Sequence, residues 1–156
     1  MRSSTLAKTG LAALATSVAG GLASKDSQSL WYARLRKPSF QPPRQAFPIV
    51  WPILYTDIAV VSASTLEERG RAEEATSYRR ALILNLVLNA SWSWLFFNRR
   101  RLGTSAVAAG VLAASSADLA RRAAAVNPAA GAALAPYPLW CAFATALSTR
   151  IWQLNR

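Results

Sequence analysis

Five apolar stretches, at about residues 5–24, 46–66, 80–98, 103–120 and 130–152, take up most of the sequence, and basic or proline-rich breaks separate them. An α-helix needs roughly 20 apolar residues to cross the hydrocarbon core of a bilayer. Inside lipid every backbone N–H and C=O must be satisfied within the chain, so stretches of this length and composition predict helices. The expected fold is all-α, an integral membrane bundle of five transmembrane helices that forms one domain over residues 1–156.

The charge pattern suits that reading. The chain holds 18 Lys and Arg against 7 Asp and Glu, a formal charge of +11. In a soluble protein such an excess points first to nucleic acid. Here nearly every Arg and Lys falls at a predicted helix end, where its stem stays in apolar surroundings and its head reaches lipid headgroups. The lipid bilayer, and no nucleic acid, is the expected partner. There is no histidine, and Cys141 is the only cysteine. That removes histidine acid–base catalysis, Ser-His-Asp and Cys-His nucleophiles, His/Cys zinc sites and a histidine haem ligand. No catalytic residue, metal ligand or resident cofactor is assigned. Any ligand must be held by aromatic, amide, hydroxyl and carboxylate groups.

The first stretch reads either as a retained helix or as a signal peptide, with Arg2 and Lys8 as its charged start and Leu22-Ala23-Ser24 near a cleavage site. Residues 25–45 form a basic connector with Lys25, Arg34, Arg36, Lys37 and Arg44, in which Pro38, Pro42 and Pro43 block a continuous helix. Trp31, Tyr32 and Phe40 give it apolar surface, so it reads as a shaped loop that packs on or covers something. Further on, Glu67, Glu68, Glu73 and Glu74 stand against Arg69, Arg71, Arg79 and Arg80, which predicts local ion pairs at solvated helix ends. Asp118, with Arg121 and Arg122 three and four residues on, predicts another. With five crossings the connector, Arg99 to Arg101 and the C-terminus share one side. Their small excess of Lys and Arg favours a cytoplasmic C-terminus. Ala and Arg richness points to a bacterial inner membrane, with an organellar membrane as the alternative.

Helical spacing sorts the remaining polar and aromatic groups onto faces. Trp51, Tyr55, Ile58 and Ser62 share one face of the second helix, Asn85, Asn89, Trp92 and Phe96 one face of the third, and Trp140, Ala144, Leu147 and Ile151 one face of the fifth. Asn85 and Asn89 are costly in lipid unless they face protein or a cavity, so that face should point inward. Trp31, Tyr32 and Trp152 suit an interfacial aromatic belt, whereas Trp51, Trp92 and Trp140 suit a cavity walled by indoles. Such a cavity favours planar, hydrophobic, π-rich ligands. Asp57, within the second helix, is open to two readings, a functional intramembrane carboxylate or one paired with an arginine. Small residues recur at Ala12, Thr16 and Gly20 and at Ala106, Gly110 and Ala114, which fits close packing within the chain or a homodimer seam.

The run from Trp31 to Pro43, with Trp31-Tyr32, Leu35, Lys37-Pro38, Phe40 and Pro42-Pro43, followed by Phe47, Trp51, Leu54 and Tyr55, resembles the signature of the TspO/translocator-protein family. These are the tryptophan-rich sensory proteins, also called peripheral-type benzodiazepine receptors. Leu88-Asn89, Trp92-Ser93 and Leu95-Phe96-Phe97 look like the family's third-helix motif. Pro136-Tyr137, Trp140, Phe143-Ala144, Leu147, Ile151-Trp152 and Asn155 look like its fifth-helix motif. The resemblance covers about residues 10–156 and so favours a retained first helix. It implies a five-helix membrane protein, often dimeric, with a pocket capped by the loop between the first two helices. It implies binding of porphyrins such as protoporphyrin and haem. The matching positions carry pocket roles to Phe47, Trp51, Asn89, Trp92, Trp140, Ala144 and Leu147, joined by Tyr55 on the Trp51 face. The lid is the loop with Trp31, Tyr32, Lys37, Pro38, Pro42 and Pro43. Ser148, Thr149 and Arg150 depart from the animal cholesterol motif, so sterol binding by that route is not expected.

The function expected from these readings is a membrane receptor or carrier for porphyrins, with a sensory or tetrapyrrole-regulatory role. The ligand is expected between the indole faces of Trp51 and Trp140, with Arg34, Arg36 or Lys37 meeting its propionates. Two alternatives remain: a light- and oxygen-dependent porphyrin-degrading enzyme, and a scaffold acting through partner proteins.

Overall fold

Ile53, Ile83, Val87, Val107 and Leu139 are 63%, 60%, 57%, 68% and 70% exposed along apolar helices, the pattern of a surface that meets lipid in place of water. Five helical rods are long and apolar enough to cross a membrane, Ser3–Ala23, Ala46–Glu68, Ala72–Asn98, Leu102–Val126 and Pro128–Asn155. The computed structural model describes residues 2–25, 29–43, 45–68 and 72–156. In chain order the elements are α1 (Ser3–Ala23), α2 (Leu30–Arg34), α3 (Ala46–Glu68), α4 (Ala72–Ser93), a π-helical turn (Trp94–Asn98), α5 (Leu102–Val126), α6 (Pro128–Leu134) and α7 (Pro136–Asn155). The protein is an all-α integral membrane bundle.

Three rods outrun the apolar stretches that announce them. α4 begins eight residues before the expected position because Ala72 to Arg80 is polar but helix-compatible, and Glu73 and Glu74 sit favourably in its first turn. α5 runs on through an Arg- and Ala-rich end to Val126. The fifth rod is two helices. The Asn127 side chain accepts from the Ala129 N–H at 3.0 Å to start α6, and Pro136 restarts the chain as α7 after Ala135. The connector holds a short helix, α2, whose Ser29 hydroxyl accepts from the Tyr32 N–H at 3.3 Å.

The rods close into a ring. α1 lies along α3 and α4, α4 along α5, α5 along α7 and α6, and α6 meets α3. At the end away from the connector the centre is solid, filled by Leu54, Ile58, Val61, Tyr78, Leu82, Leu86, Leu112, Leu119, Leu134 and Tyr137. At the connector end a second cluster gathers Phe96, Leu147 and Ile151 with Tyr32, Phe47, Trp92, Phe97 and Phe143 around it. The connector and the C-terminus share one side, since the Arg36 N–H donates to Asn155 Oδ1 at 2.9 Å and Asn155 Nδ2 donates to the Arg36 carbonyl at 2.8 Å.

The small-residue faces pack inside the chain. A Cβ on Gly110 would touch Thr145 of α7 at 3.7 Å, and one on Gly20 would touch Ser93 at 3.4 Å. Charges follow spacing. Asp118 receives Arg121 and Arg122, each at 2.7 Å. Arg79 and Arg80 form no ion pair with Glu73 or Glu74 among the described residues, contrary to expectation. Five to seven residues separate them, where helical pairs need three or four. Arg69, Arg71 and Arg44 lie outside the described residues.

Candidate functional site

A cavity of about 770 Å³ lies at the connector end, between α1, α3, the end of α4 and α7. Two stacked aromatic pairs line it. Trp51 and Tyr55, one turn apart on α3, stack with centroids 5.6 Å apart and planes at 29°. Trp92 and Phe96, one turn apart on α4 and its π-helical extension, stack at 5.7 Å and 29°. The spacing of four residues puts each pair on one helix face, as the sequence predicts. Leu147, Ser148 and Ile151 come from α7, Ser17, Gly20 and Gly21 from α1, and Ser24 from just past its end. Those α1 residues are small, which leaves the space into which the rings look.

Tyr32 and Gln45 are the connector's contributions to the cavity, Tyr32 being the larger. The Tyr32 ring lies on Phe97 at 5.6 Å and its hydroxyl accepts from Gln41 Nε2 at 3.1 Å. The Lys37 ammonium sits 4.4 Å over the same ring and donates to the Tyr32 and Leu35 carbonyls at 2.7 and 3.4 Å. Lys37 therefore shapes the connector and does not reach into the cavity as a partner for carboxylates; Arg34 and Arg36 are exposed at that end. Trp31 and Phe96 meet edge-to-face with centroids 6.3 Å apart, and the Arg100 guanidinium lies 5.1 Å from the centre of the Trp31 ring. Pro38 and Pro43 supply turn carbonyls, to Gln41 and Ala46 N–H at 3.2 and 3.0 Å. None of Trp31, Lys37, Pro38, Pro42 and Pro43 lines the cavity. Tyr32 belongs to the cavity wall.

Phe47, Trp51, Tyr55, Trp92 and Leu147 are brought together as expected. Trp140, Ala144 and Asn89 are not on the wall. Trp140 meets Trp51 edge-on, with centroids 6.4 Å apart and planes at 87°, and Phe47 at 5.8 Å. A slot between two parallel indoles, expected for Trp51 and Trp140, is thus absent, because the edge of one ring abuts the face of the other. The cavity instead opens between the Trp51 and Trp92 sides. The wall residues missed from sequence are the small ones at α1, Gln45, Pro48 and Pro52 at the start of α3, Ser93 and Phe97, and Ser148 of α7; for the α1 side only the repeat through Gly20 signalled the face.

Asn89 lies behind the wall in a chain of hydrogen bonds through the bundle interior. The Tyr55 hydroxyl donates to Asn89 Oδ1 at 2.7 Å, Asn89 Nδ2 donates to the Tyr137 hydroxyl at 3.0 Å, and that hydroxyl donates to Asn85 Oδ1 at 2.7 Å. Asn85 Nδ2 then donates to Ser115 and Ser116 Oγ at 3.2 and 3.1 Å. Both amides are fully buried and satisfied, which removes the penalty of placing them in lipid. Trp92 is different. Its indole N–H is buried with no hydrogen-bond partner among the described residues. Asp57 is half-buried on the flank of α3, away from the cavity. Among the described residues there is no cluster of carboxylate and thiol groups suited to a metal ion.

A profile of the TspO/MBR family matches residues 9–153. The chain belongs to the TspO/MBR family. It is similar to the translocator protein of Ovis aries, 36% identical over 130 residues, 81% of this chain and 75% of the relative. It is 34% identical over 139 residues to the uncharacterized membrane protein YtaB of Bacillus subtilis, covering 89% and 88% of the two chains. To a tryptophan-rich sensory protein of Cereibacter sphaeroides it is 27% identical over 125 residues, covering 80% and 77%. An integral membrane protein with bacterial and animal relatives thus carries its aromatic cavity within the matched region.

Proposed function

We propose that this protein is a membrane receptor or carrier that takes a porphyrin-type ligand into the aromatic cavity and serves a sensory or regulatory role. The observation that carries the reading is that two stacked aromatic pairs, Trp51 with Tyr55 and Trp92 with Phe96, line one cavity of about 770 Å³. Ligand pockets run from about 300 to 1,000 Å³ and are mostly apolar with a few placed polar groups. Here the polar residues on the wall are Ser17, Ser24, Gln45, Ser93 and Ser148. A flat macrocycle matches this set: ring faces supply stacking and area burial, and Arg34 and Arg36 stand exposed at the mouth end for acidic side groups. The connector, anchored through Tyr32 and Lys37, acts as the lid. The sensory protein named among the relatives supports the regulatory part of the reading.

Absorbance titration of the detergent-purified protein with protoporphyrin tests it. Binding should saturate, and Trp51→Ala or Trp92→Ala should weaken it about tenfold, equivalent to ~1.4 kcal/mol. Trp140→Ala should weaken it less, since Trp140 only buttresses Trp51. Unchanged affinity in both wall variants would overturn the site. Repeating the titration under illumination separates retention of the porphyrin from its breakdown.

A further inference from the structure

A second concavity, of about 620 Å³, lies on the outer surface between α4 and α5, at the end of the bundle away from the lid. Its wall along α4 presents Glu73, Ser77, Arg80 and Leu84 in that order, with Asp118 and Arg122 opposite on α5. Glu73 to Leu84 covers about 16 Å of helix rise, from the water-facing end of α4 into the apolar span. Two charges are already committed. Asp118 receives both Arg121 and Arg122, and Arg122 NH1 also donates to Ser77 Oγ at 2.8 Å. Two are not: Glu73 and Arg80 are exposed and have no hydrogen-bond or ion-pair partner among the described residues. They lie seven residues apart on the same face, with Glu73 nearer the water-facing end and the Arg80 backbone about 10 Å further along the axis.

We infer that this groove binds a phospholipid with an ethanolamine headgroup. The order carboxylate, guanidinium, apolar floor from water inward is the order ammonium, phosphate, acyl chain of such a lipid standing in its leaflet. Arg80 takes the phosphate by charge-assisted hydrogen bonds, Glu73 accepts from the ammonium, and Ala81 and Leu84 run beside the chains. An anionic lipid leaves Glu73 facing phosphate without a cation. A choline headgroup has no N–H to donate to it. The mixed charge of the groove therefore fits a zwitterion that carries donors.

Native mass spectrometry of the detergent-purified protein, loaded in turn with ethanolamine, choline and glycerol phospholipids of the same acyl chains, reads this directly. The ethanolamine lipid should be retained several-fold above the other two. Glu73→Gln should lower its retention to that of the choline lipid, and Arg80→Gln should lower retention of all three. Both side chains are exposed, so neither variant disturbs the core. Equal retention of the three lipids, preference for the glycerol lipid, or ethanolamine-lipid retention unmoved by either substitution would overturn the site. Excess glycerophosphoethanolamine should leave the lipid bound; displacement by this chainless headgroup would assign the groove to a soluble ligand and overturn the lipid reading.

Discussion

The Tyr137 hydroxyl is bonded on both sides, accepting from Asn89 and donating to Asn85 in a part of the bundle without solvent. Tyr137→Phe leaves two buried amide groups short of a partner, and an unsatisfied buried polar group costs ~1–3 kcal/mol. Tyr55→Phe removes a single bond beside the cavity and should cost less, near the ~0.6 kcal/mol average for hydrogen bonds between membrane helices. Thermal unfolding in detergent compares them; equal losses would mean that the asparagines find other partners. The inward direction of Asn85 and Asn89 is legible from sequence, because lipid penalises amides and helical spacing names their face. Their partner on α7 is not. Tyr137 is read from sequence only as part of a motif, and its distance from Asn89 depends on how two helices remote in sequence are set against each other. Trp140 fails as a wall residue for the same reason: periodicity assigns a direction but not the depth at which a ring stops.

Between elements, α6 approaches α5 closely at Gly131. A Cβ on Gly131 would lie 2.3 Å from Ala124 Cβ and 2.7 Å from its Cα, a clash with backbone that no rotamer relieves. Gly131→Val should therefore force the two helices apart and cost ~1–3 kcal/mol or more, as overpacking does. Gly10→Ala on α1 meets nothing within 4 Å and should be neutral or gain up to ~1 kcal/mol from helix propensity. Unfolding midpoints of the two variants should move in opposite directions or differ sharply. The connector is held by a different device. Lys37→Met keeps the stem but removes the ammonium from the Tyr32 and Leu35 carbonyls, so hydrogen exchange should speed up in residues 29–43 while the rods stay protected. Unchanged exchange would show that aromatic packing alone holds the connector. Rod lengths were only partly readable, because apolarity marks what lies in hydrocarbon while helices continue past it for as long as residues such as Glu73 or Arg121 tolerate the conformation.

For the molecule as a whole, five crossings place the connector and the C-terminus on one face and the Ser77 end of α4 on the other. A membrane-impermeant maleimide should label Ser39→Cys and Arg156→Cys from the same side of sealed vesicles and Ser77→Cys from the opposite side. Cys141 is buried and should stay silent. Labelling of all three from one side would refute the threading. The polar chain from Tyr55 to Ser115 joins the wall of the aromatic cavity to a lining residue of the α4–α5 groove, so the two concavities share one buried framework. The sequence alone determined that the chain lives in lipid, that it crosses five times, and which helix faces turn inward. Those follow from transfer free energy and helical periodicity, which are local. Only the tertiary structure decided that the cavity opens between Trp51 and Trp92 and not between Trp51 and Trp140. Only it decided that small residues of α1 make the room, and that Lys37 braces the connector. Ring angles and the space between rods depend on how all the helices pack at once, and no single segment carries that information.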